Sequence, residues 1–235
     1  MSTQVALVTG AGSGIGAAIC HSLSASGYSL VLCGRREQPL TELASQLSTP
    51  TLTLTCDVRE EAQIQNCVTK AVEKFGRLDV LVNNAGIFQP TPIDETPAQL
   101  WDGILSSNLR SAFLMSQAAW PHLKESQGQI MNISSISATM GFAGGAAYCA
   151  SKFGMNGLTA VLAVEGKPFG IRAFAVCPAQ VATPIWEARA DEDQLQKMMT
   201  AEQIADLVAY LINSPRNINI APVVISNFHN PWDKS

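Results

Sequence analysis

Val5-Ala6-Leu7-Val8-Thr9-Gly10-Ala11-Gly12-Ser13-Gly14-Ile15-Gly16 is the stretch on which the fold turns. An apolar run of strand length passes into four glycines within seven residues, and a helical segment begins near residue 15. Glycine lacks a Cβ, so it accepts positive φ and lets the backbone come against a ligand, while a helix N-terminus presents unpaired N–H groups to an anion. A tight strand-to-helix turn is the bland alternative. Strand before and helix after favour a loop that cradles a pyrophosphate.

Working outward, short apolar runs alternate with amphipathic stretches to the end of the chain. Strands are predicted at 5–9, 29–33, 51–56, 78–83, 128–134, 171–177 and 220–226, and helices at 15–26, 38–47, 60–75, 97–124, 147–165 and 201–213. Such alternation gives an α/β fold, a single Rossmann-type doubly wound parallel sheet of about seven strands with helices on both faces. One domain is expected over 1–235. Thr96, Pro97 and Gln99 read as a capped start for one long helix carrying Asn108. Residues 178–200, broken by Pro178, Pro184 and the acidic Asp191, Glu192 and Asp193, are too long for an idle loop and are read as a substrate lid. Residues 227–235 read as a dispensable tail.

Composition bounds the function. Of 235 residues 47% are hydrophobic and 14% charged, and no apolar run approaches the roughly 18 residues that span a bilayer. No membrane association is expected. Met1, Ser2 and Thr3 lead into the first apolar run without a basic flank or cleavage site, so a cytoplasmic protein is expected. The net charge of −4 argues against nucleic acid as a partner. Six cysteines form no CxxC pair and have no metal-ligand spacing with the three histidines, so no metal site is predicted. No GxSxG elbow points to a serine hydrolase.

The end of the second predicted strand, Cys33-Gly34-Arg35-Arg36, is placed to meet an adenosine ribose. No acidic side chain stands at Gly34 to bind free ribose hydroxyls, whereas Arg35 and Arg36 offer fixed charge and donors to a 2′-phosphate. NADP(H) is therefore favoured, with NAD(H) possible. Ser13 supplies no basic residue to this preference.

Tyr148 and Lys152, four apart on a predicted helix, share one face. A phenol with a pKa of about 10 exchanges protons poorly at neutral pH unless phenolate is stabilised. A cation about 4 Å away at an effective dielectric of about 20 is worth about 4 kcal/mol, which lowers that pKa by about three before desolvation opposes it. Ser134 and Ser135 close the fifth strand, at the edge where open α/β sheets bind ligands, and either can hold a substrate oxygen. Asn108 is a candidate to orient the lysine through water.

Together these residues resemble the short-chain dehydrogenase/reductase family over nearly the whole chain, and Arg35 resembles its NADP-preferring branch. The resemblance implies a cofactor loop at Gly10, Ser13, Gly14, Ile15 and Gly16, an adenine contact at Asp57 and Val58, and a sheet-steadying motif in Asn83-Asn84-Ala85-Gly86. It implies a tetrad of Asn108, Ser135, Tyr148 and Lys152. Ser135, thirteen residues before Tyr148, is then preferred over Ser134. Tyr148 is implied as general acid/base, Lys152 as its pKa modulator and ribose ligand, Ser135 as polariser and Asn108 as part of a proton relay. Pro178, Val181 and Thr183 resemble the turn beside nicotinamide, although Ala179 stands where the family usually has glycine.

The implied activity is hydride transfer between nicotinamide and a carbonyl or alcohol small molecule, in a homodimer or homotetramer. Ile136, Met140, Phe142, Ile185 and Trp186 are candidates for an apolar substrate pocket. Ser126 and Phe169, where carrier-protein reductases of the family tend to be basic, favour a free substrate. A non-catalytic NADP-binding sensor of the same fold is one alternative, and an epimerase or dehydratase using the same tyrosine and lysine is another.

Overall fold

The computed structural model describes residues 3–186 and 189–232; positions 187–188 of the expected lid and 233–235 of the expected tail lie outside the described residues. Strands β1 (Val5–Thr9), β2 (Ser29–Gly34), β3 (Thr51–Thr55), β4 (Val80–Asn83), β5 (Gln129–Ile133), β6 (Arg172–Pro178) and a further edge strand at Val223–Ile225 make a seven-stranded sheet. All neighbouring pairs are parallel. The spatial order runs β3-β2-β1-β4-β5-β6 and then the edge strand. Two short strands, β7 (Val181–Ala182) and β8 (Met199–Thr200), precede that edge strand, which is therefore β9, and pair with each other apart from the main sheet.

Parallel strands buried on both faces must feed two cores, and the period of two distributes them. Ala6, Val8, Leu30, Leu32, Val80 and Val82 face one core with helices α1 (Gly14–Ala25) and α2 (Glu37–Gln46). Val5, Leu7, Val31 and Leu81 face the other with α3 (Glu61–Phe75). Next come α4 (Ala98–Leu105), α5 (Ser111–Ser126) and α6 (Ala146–Gly166), followed by α7 (Glu192–Lys197) and α8 (Ala201–Ile212). Met115, Ala119, Leu123 and Leu162 of α5 and α6 join the second core, while Ile204, Val208 and Leu211 of α8 join the first. The doubly wound architecture is as expected.

Three local readings need correction. The helix expected over 97–124 is interrupted by a π-helical turn at Ser106–Arg110 that separates α4 from α5 and carries Asn108. Thr96 does not cap it: Pro97 occupies the cap position, and the Thr96 hydroxyl donates instead to the carbonyls of Thr91 and Pro92. True capping boxes occur at Asp191 with Gln194 and at Thr200 with Gln203, so the expected lid contains a short helix and leads directly into α8. The tail is not idle. Asn227 accepts from the Gln180 N–H at 3.2 Å and donates to the Gln180 carbonyl at 3.0 Å, tying residues after β9 to the lid.

The strand order reverses between β1 and β4, and the two following loops diverge there to open a crevice. Buried Thr9 joins them. Its hydroxyl donates to the Val82 carbonyl and accepts the N–H groups of Asn84 and Ala85, each at 3.0 Å. The Asn84 amide in turn donates to the carbonyls of Thr9 and Gly10. Thr9→Val keeps the shape but orphans two part-buried donors, and should cost about 1–3 kcal/mol. Urea unfolding checks this, and a midpoint unchanged at constant m-value would show that the junction is not under this control.

Candidate active site

A cavity of about 1020 Å³ occupies the crevice. Its floor is the glycine loop. Gly10 and Gly14 adopt φ of +65° and +54°, conformations that side chains disfavour, and Ser13, Gly14 and Ile15 line the cavity at the start of α1. Ser13 makes no side-chain cap bond. Gly16 does not line the cavity. A Cβ there would fall 2.3 Å from the Gly10 carbonyl oxygen and 2.5 Å from Asn84 Nδ2, so this glycine lets α1 press against the loop instead of touching a ligand.

Arg35 and Arg36 stand at one end of the cavity, across from Asp57 and Val58. Arg59 stands with them, a third guanidinium that the sequence reading missed although it lies only two residues past Asp57. Its side chain clasps the Asp57 carboxylate, with Nε at 3.0 and 3.1 Å from the two oxygens and Nη2 at 2.5 Å, and its N–H adds a bond of 3.0 Å. These donors, with a smaller contribution from the Arg35 charge, hold the Asp57 carboxyl below its ordinary pKa. Asn84, Ala85 and Gly86 line the middle of the cavity.

Ser135, Tyr148 and Lys152 meet at the other end. The two serines that the sequence left ambiguous are distinguished by their bonds. Ser134 donates to the Lys152 carbonyl at 3.4 Å, whereas Ser135 accepts the Ser137 N–H at 3.1 Å and turns its hydroxyl to the Tyr148 phenol. Asn108 is fully buried and does not line the cavity. Its amide exchanges two bonds with the Ile87 backbone, at 2.8 and 3.0 Å, and donates to Ser151 Oγ at 3.1 Å. It therefore fixes the loop after β4 to α6 and makes no direct bond to Lys152.

The electrostatics of the Tyr148 and Lys152 pair depart from expectation. Lys152, 5% exposed, donates from Nζ to the Ile133 carbonyl at 2.8 Å, and Nζ lies 5.7 Å from the Tyr148 ring centroid. Burial pushes the Tyr148 phenol up to about 12, against the opposing pull of the Ser135 hydroxyl. Burial also draws the Lys152 ammonium down to about 8. Desolvation of both buried side chains is why the expected depression is absent.

Residues of the expected lid form part of the cavity wall. Pro178, Val181 and Thr183 line it, and Thr183 crosses the glycine loop so closely that a Cβ on Gly14 would meet its side chain at 3.2 Å. Ala179 keeps its backbone in register by donating to the Ile225 carbonyl at 2.8 Å. Ile136, Met140, Phe142, Ile185 and Trp186 line the Tyr148 end as expected. Phe88, which no sequence pattern singled out, is central there: its ring centroid lies 4.8 Å from Tyr148, 5.5 Å from Trp186 and 6.0 Å from Phe142. Trp232 of the tail packs against Trp186 with the rings tilted by 56° and their centroids 5.8 Å apart.

An elongated cavity with a glycine-lined floor beside a helix start, guanidinium groups at one end and a phenol, a hydroxyl and an amine at the other has the donor set of a nicotinamide dinucleotide site. Residues 4–194 match the family model described as short chain dehydrogenase. An uncharacterized oxidoreductase of Staphylococcus epidermidis is 35% identical over 223 residues, covering 94% of this chain and 96% of its own. The L-fucose dehydrogenase of Oryctolagus cuniculus is 36% identical over 185 residues, 78% of this chain and 65% of its own. Among solved structures, levodione reductase superimposes with a TM-score of 0.87 at 30% identity, covering 96% of this chain and 97% of that one. With the fold, the cavity and these likenesses in agreement, the chain belongs to the short-chain dehydrogenase family of oxidoreductases.

Proposed function

We propose that the protein is an NADP(H)-dependent oxidoreductase that interconverts a small carbonyl compound and its alcohol, with Tyr148 as general acid/base. The observation that carries the reading is the meeting of Ser135, Tyr148 and Lys152 at one end of a cavity whose other end presents Arg35, Arg36 and Arg59. Hydride chemistry is supplied by the nicotinamide when the dinucleotide is bound. The chain's own residues bind, orient and move the proton.

The glycine loop and the first turn of α1 are assigned to the pyrophosphate, and Asn84, Ala85 and Gly86 to the middle of the dinucleotide. Asp57 and Val58 are assigned to adenine. Arg35 and Arg36 favour a 2′-phosphate, and Arg59 lines the same cavity with its guanidinium already paired to Asp57. NAD(H) remains the weaker cofactor. Pro178, Val181 and Thr183 form the turn beside the nicotinamide.

At neutral pH Tyr148 holds its proton and Lys152 is mostly an ammonium, so the pair offers an acid to a carbonyl oxygen. The Ser135 hydroxyl holds that oxygen while charge gathers on it. An ammonium about 5.7 Å from the ring is worth about 3 kcal/mol to a phenolate at an effective dielectric of about 20, provided Lys152 keeps its proton. Asn108 acts as a positioning residue. The aromatic wall around Phe88 suits an apolar or ring-bearing substrate without a carrier. Exposed Phe113, Phe153 and Val164 on α5 and α6 support a homodimer or homotetramer formed through those helices. Among the described residues no helix is long and apolar enough to cross a membrane, and we place the protein in the cytoplasm.

Tyr148→Phe should lower turnover on a responsive ketone by about 10²–10⁴-fold while leaving dinucleotide binding intact; equal turnover in the two proteins sinks the mechanism. Replacing Arg35 with alanine should reduce the preference for NADPH over NADH by about 10-fold or more, as loss of one charged hydrogen bond requires. An unchanged ratio would remove the 2′-phosphate assignment. For Lys152, the unfolded chain binds more protons than the folded one between about pH 8 and the ordinary lysine pKa of 10.5, so its contribution makes stability rise with pH across that window. Lys152→Met should remove a rise of about 3 kcal/mol, read as the difference between wild-type and variant denaturation curves. Parallel pH profiles for the two proteins would refute the depressed lysine.

A further inference from the structure

Cys33, Cys56 and Cys67 are scattered in sequence, at spacings of 23 and 11, yet their sulfur atoms all lie within 4.8 Å of one another. Each side chain is at most 1% exposed. Cys33 ends the inner run of β2, Cys56 follows β3, and Cys67 lies on the face of α3 that carries Ile64, Val68 and Ala71 into the second core. The frame that holds them is rigid: β2 and β3 pair through Cys33 and Leu54, and the Cys56 N–H donates to the Gly34 carbonyl at 2.8 Å. Neither the phosphate loop nor the tetrad uses these thiols.

We infer that this triad is a binding site for one soft monovalent cation, Cu(I), held in trigonal thiolate coordination. A metal–sulfur bond of about 2.3 Å places the three sulfurs of a trigonal site about 4 Å apart, close to the spacing already present. Thiolates select Cu(I) and Zn(II) among the common ions, and a closed zinc site takes four ligands. Among the described residues the group contains no fourth histidine, cysteine, aspartate or glutamate. The neighbouring carboxylate, Asp57, is occupied by Arg59. Three soft ligands therefore fit the trigonal ion.

Cys56 also lines the cavity at the end where Arg35 and Arg59 stand, which gives the ion a route from solvent. On binding, the thiols that become thiolates release their protons to water and each sulfur donates a lone pair to the metal, with no change of oxidation state. The bound ion ties β2, β3 and α3 together behind Gly34 and Asp57.

The test supplies Cu(I) anaerobically as its coloured bicinchoninate complex to the full-length protein, and reads the loss of that colour. Wild type should withdraw one equivalent. Cys33→Ser, Cys56→Ser and Cys67→Ser should each weaken uptake by about 100-fold or more, while Cys20→Ser, a buried cysteine of the other core, should not. Circular dichroism verifies that each variant is folded. If a variant unfolds, X-ray absorption of the wild-type complex decides, and three sulfur neighbours at about 2.3 Å are expected. No uptake by folded wild type, uptake that survives any one of the three substitutions, or fewer than three sulfur neighbours would overturn the site. None of these readouts depends on hydride transfer, so the proposed reaction and this site stand or fall separately.

Discussion

The Thr9 hydroxyl, placed where β1 and β4 part company, sets the geometry on which the rest of the site depends. It satisfies two consecutive N–H groups at the start of the loop after β4, and Asn84 returns the favour by bonding the carbonyls of Thr9 and Gly10. Two loops that must diverge to make a crevice are thereby held at a defined separation. Gly16 completes the arrangement because any side chain there would strike both the Gly10 carbonyl and Asn84. The floor of the cavity is thus built from groups that are already hydrogen-bonded to protein, leaving the first turn of α1 for a ligand.

At the reacting end, desolvation wins over charge pairing. Both Tyr148 and Lys152 are pushed toward their neutral forms, one up to about 12 and the other down to about 8. Pairing them helps only while the lysine keeps its proton, and at neutral pH it largely does. The Ile133 carbonyl holds Nζ at the end of β5, a donor–acceptor bond between a cation and a rigid strand that positions the ammonium beneath the ring.

Legibility followed the range of the interactions. Most strand and helix positions, and the placing of the glycine loop, Arg35, Tyr148 and Lys152 along one cavity, are legible because each depends on local periodicity or on partners within a few residues. The π-helical turn around Asn108 was not readable: it is fixed by the bonds of Asn108 to Ile87 and Ser151, 21 and 43 residues away. Thr96, Pro97 and Gln99 match a cap by composition, but the Thr96 hydroxyl has nearer acceptors in Thr91 and Pro92. The cysteine triad escaped because tertiary packing, and no sequence spacing, assembles it. The direction of the Tyr148 pKa is not legible in a four-residue spacing, because burial of both partners, which opposes their charge pairing, is a tertiary property.

The cavity wall beside Tyr148 draws on both the lid and the tail, through Trp186 and Trp232. The tail joins the lid through Asn227, which bonds Gln180 and also donates to the Lys197 carbonyl at 3.3 Å. Trp232 then reaches Trp186, and Trp186 reaches Phe88, whose ring meets Tyr148 edge-on. A continuous aromatic path therefore runs from the end of the described chain to the proposed proton donor. Arg189 anchors the lid to that path, donating to the Phe88 carbonyl at 3.1 Å and to the Ile185 carbonyl at 2.7 Å. Changes in the lid or tail can reshape the wall that meets a substrate while leaving Ser135 and Lys152, each held by backbone of the sheet or its adjoining turn, where they are.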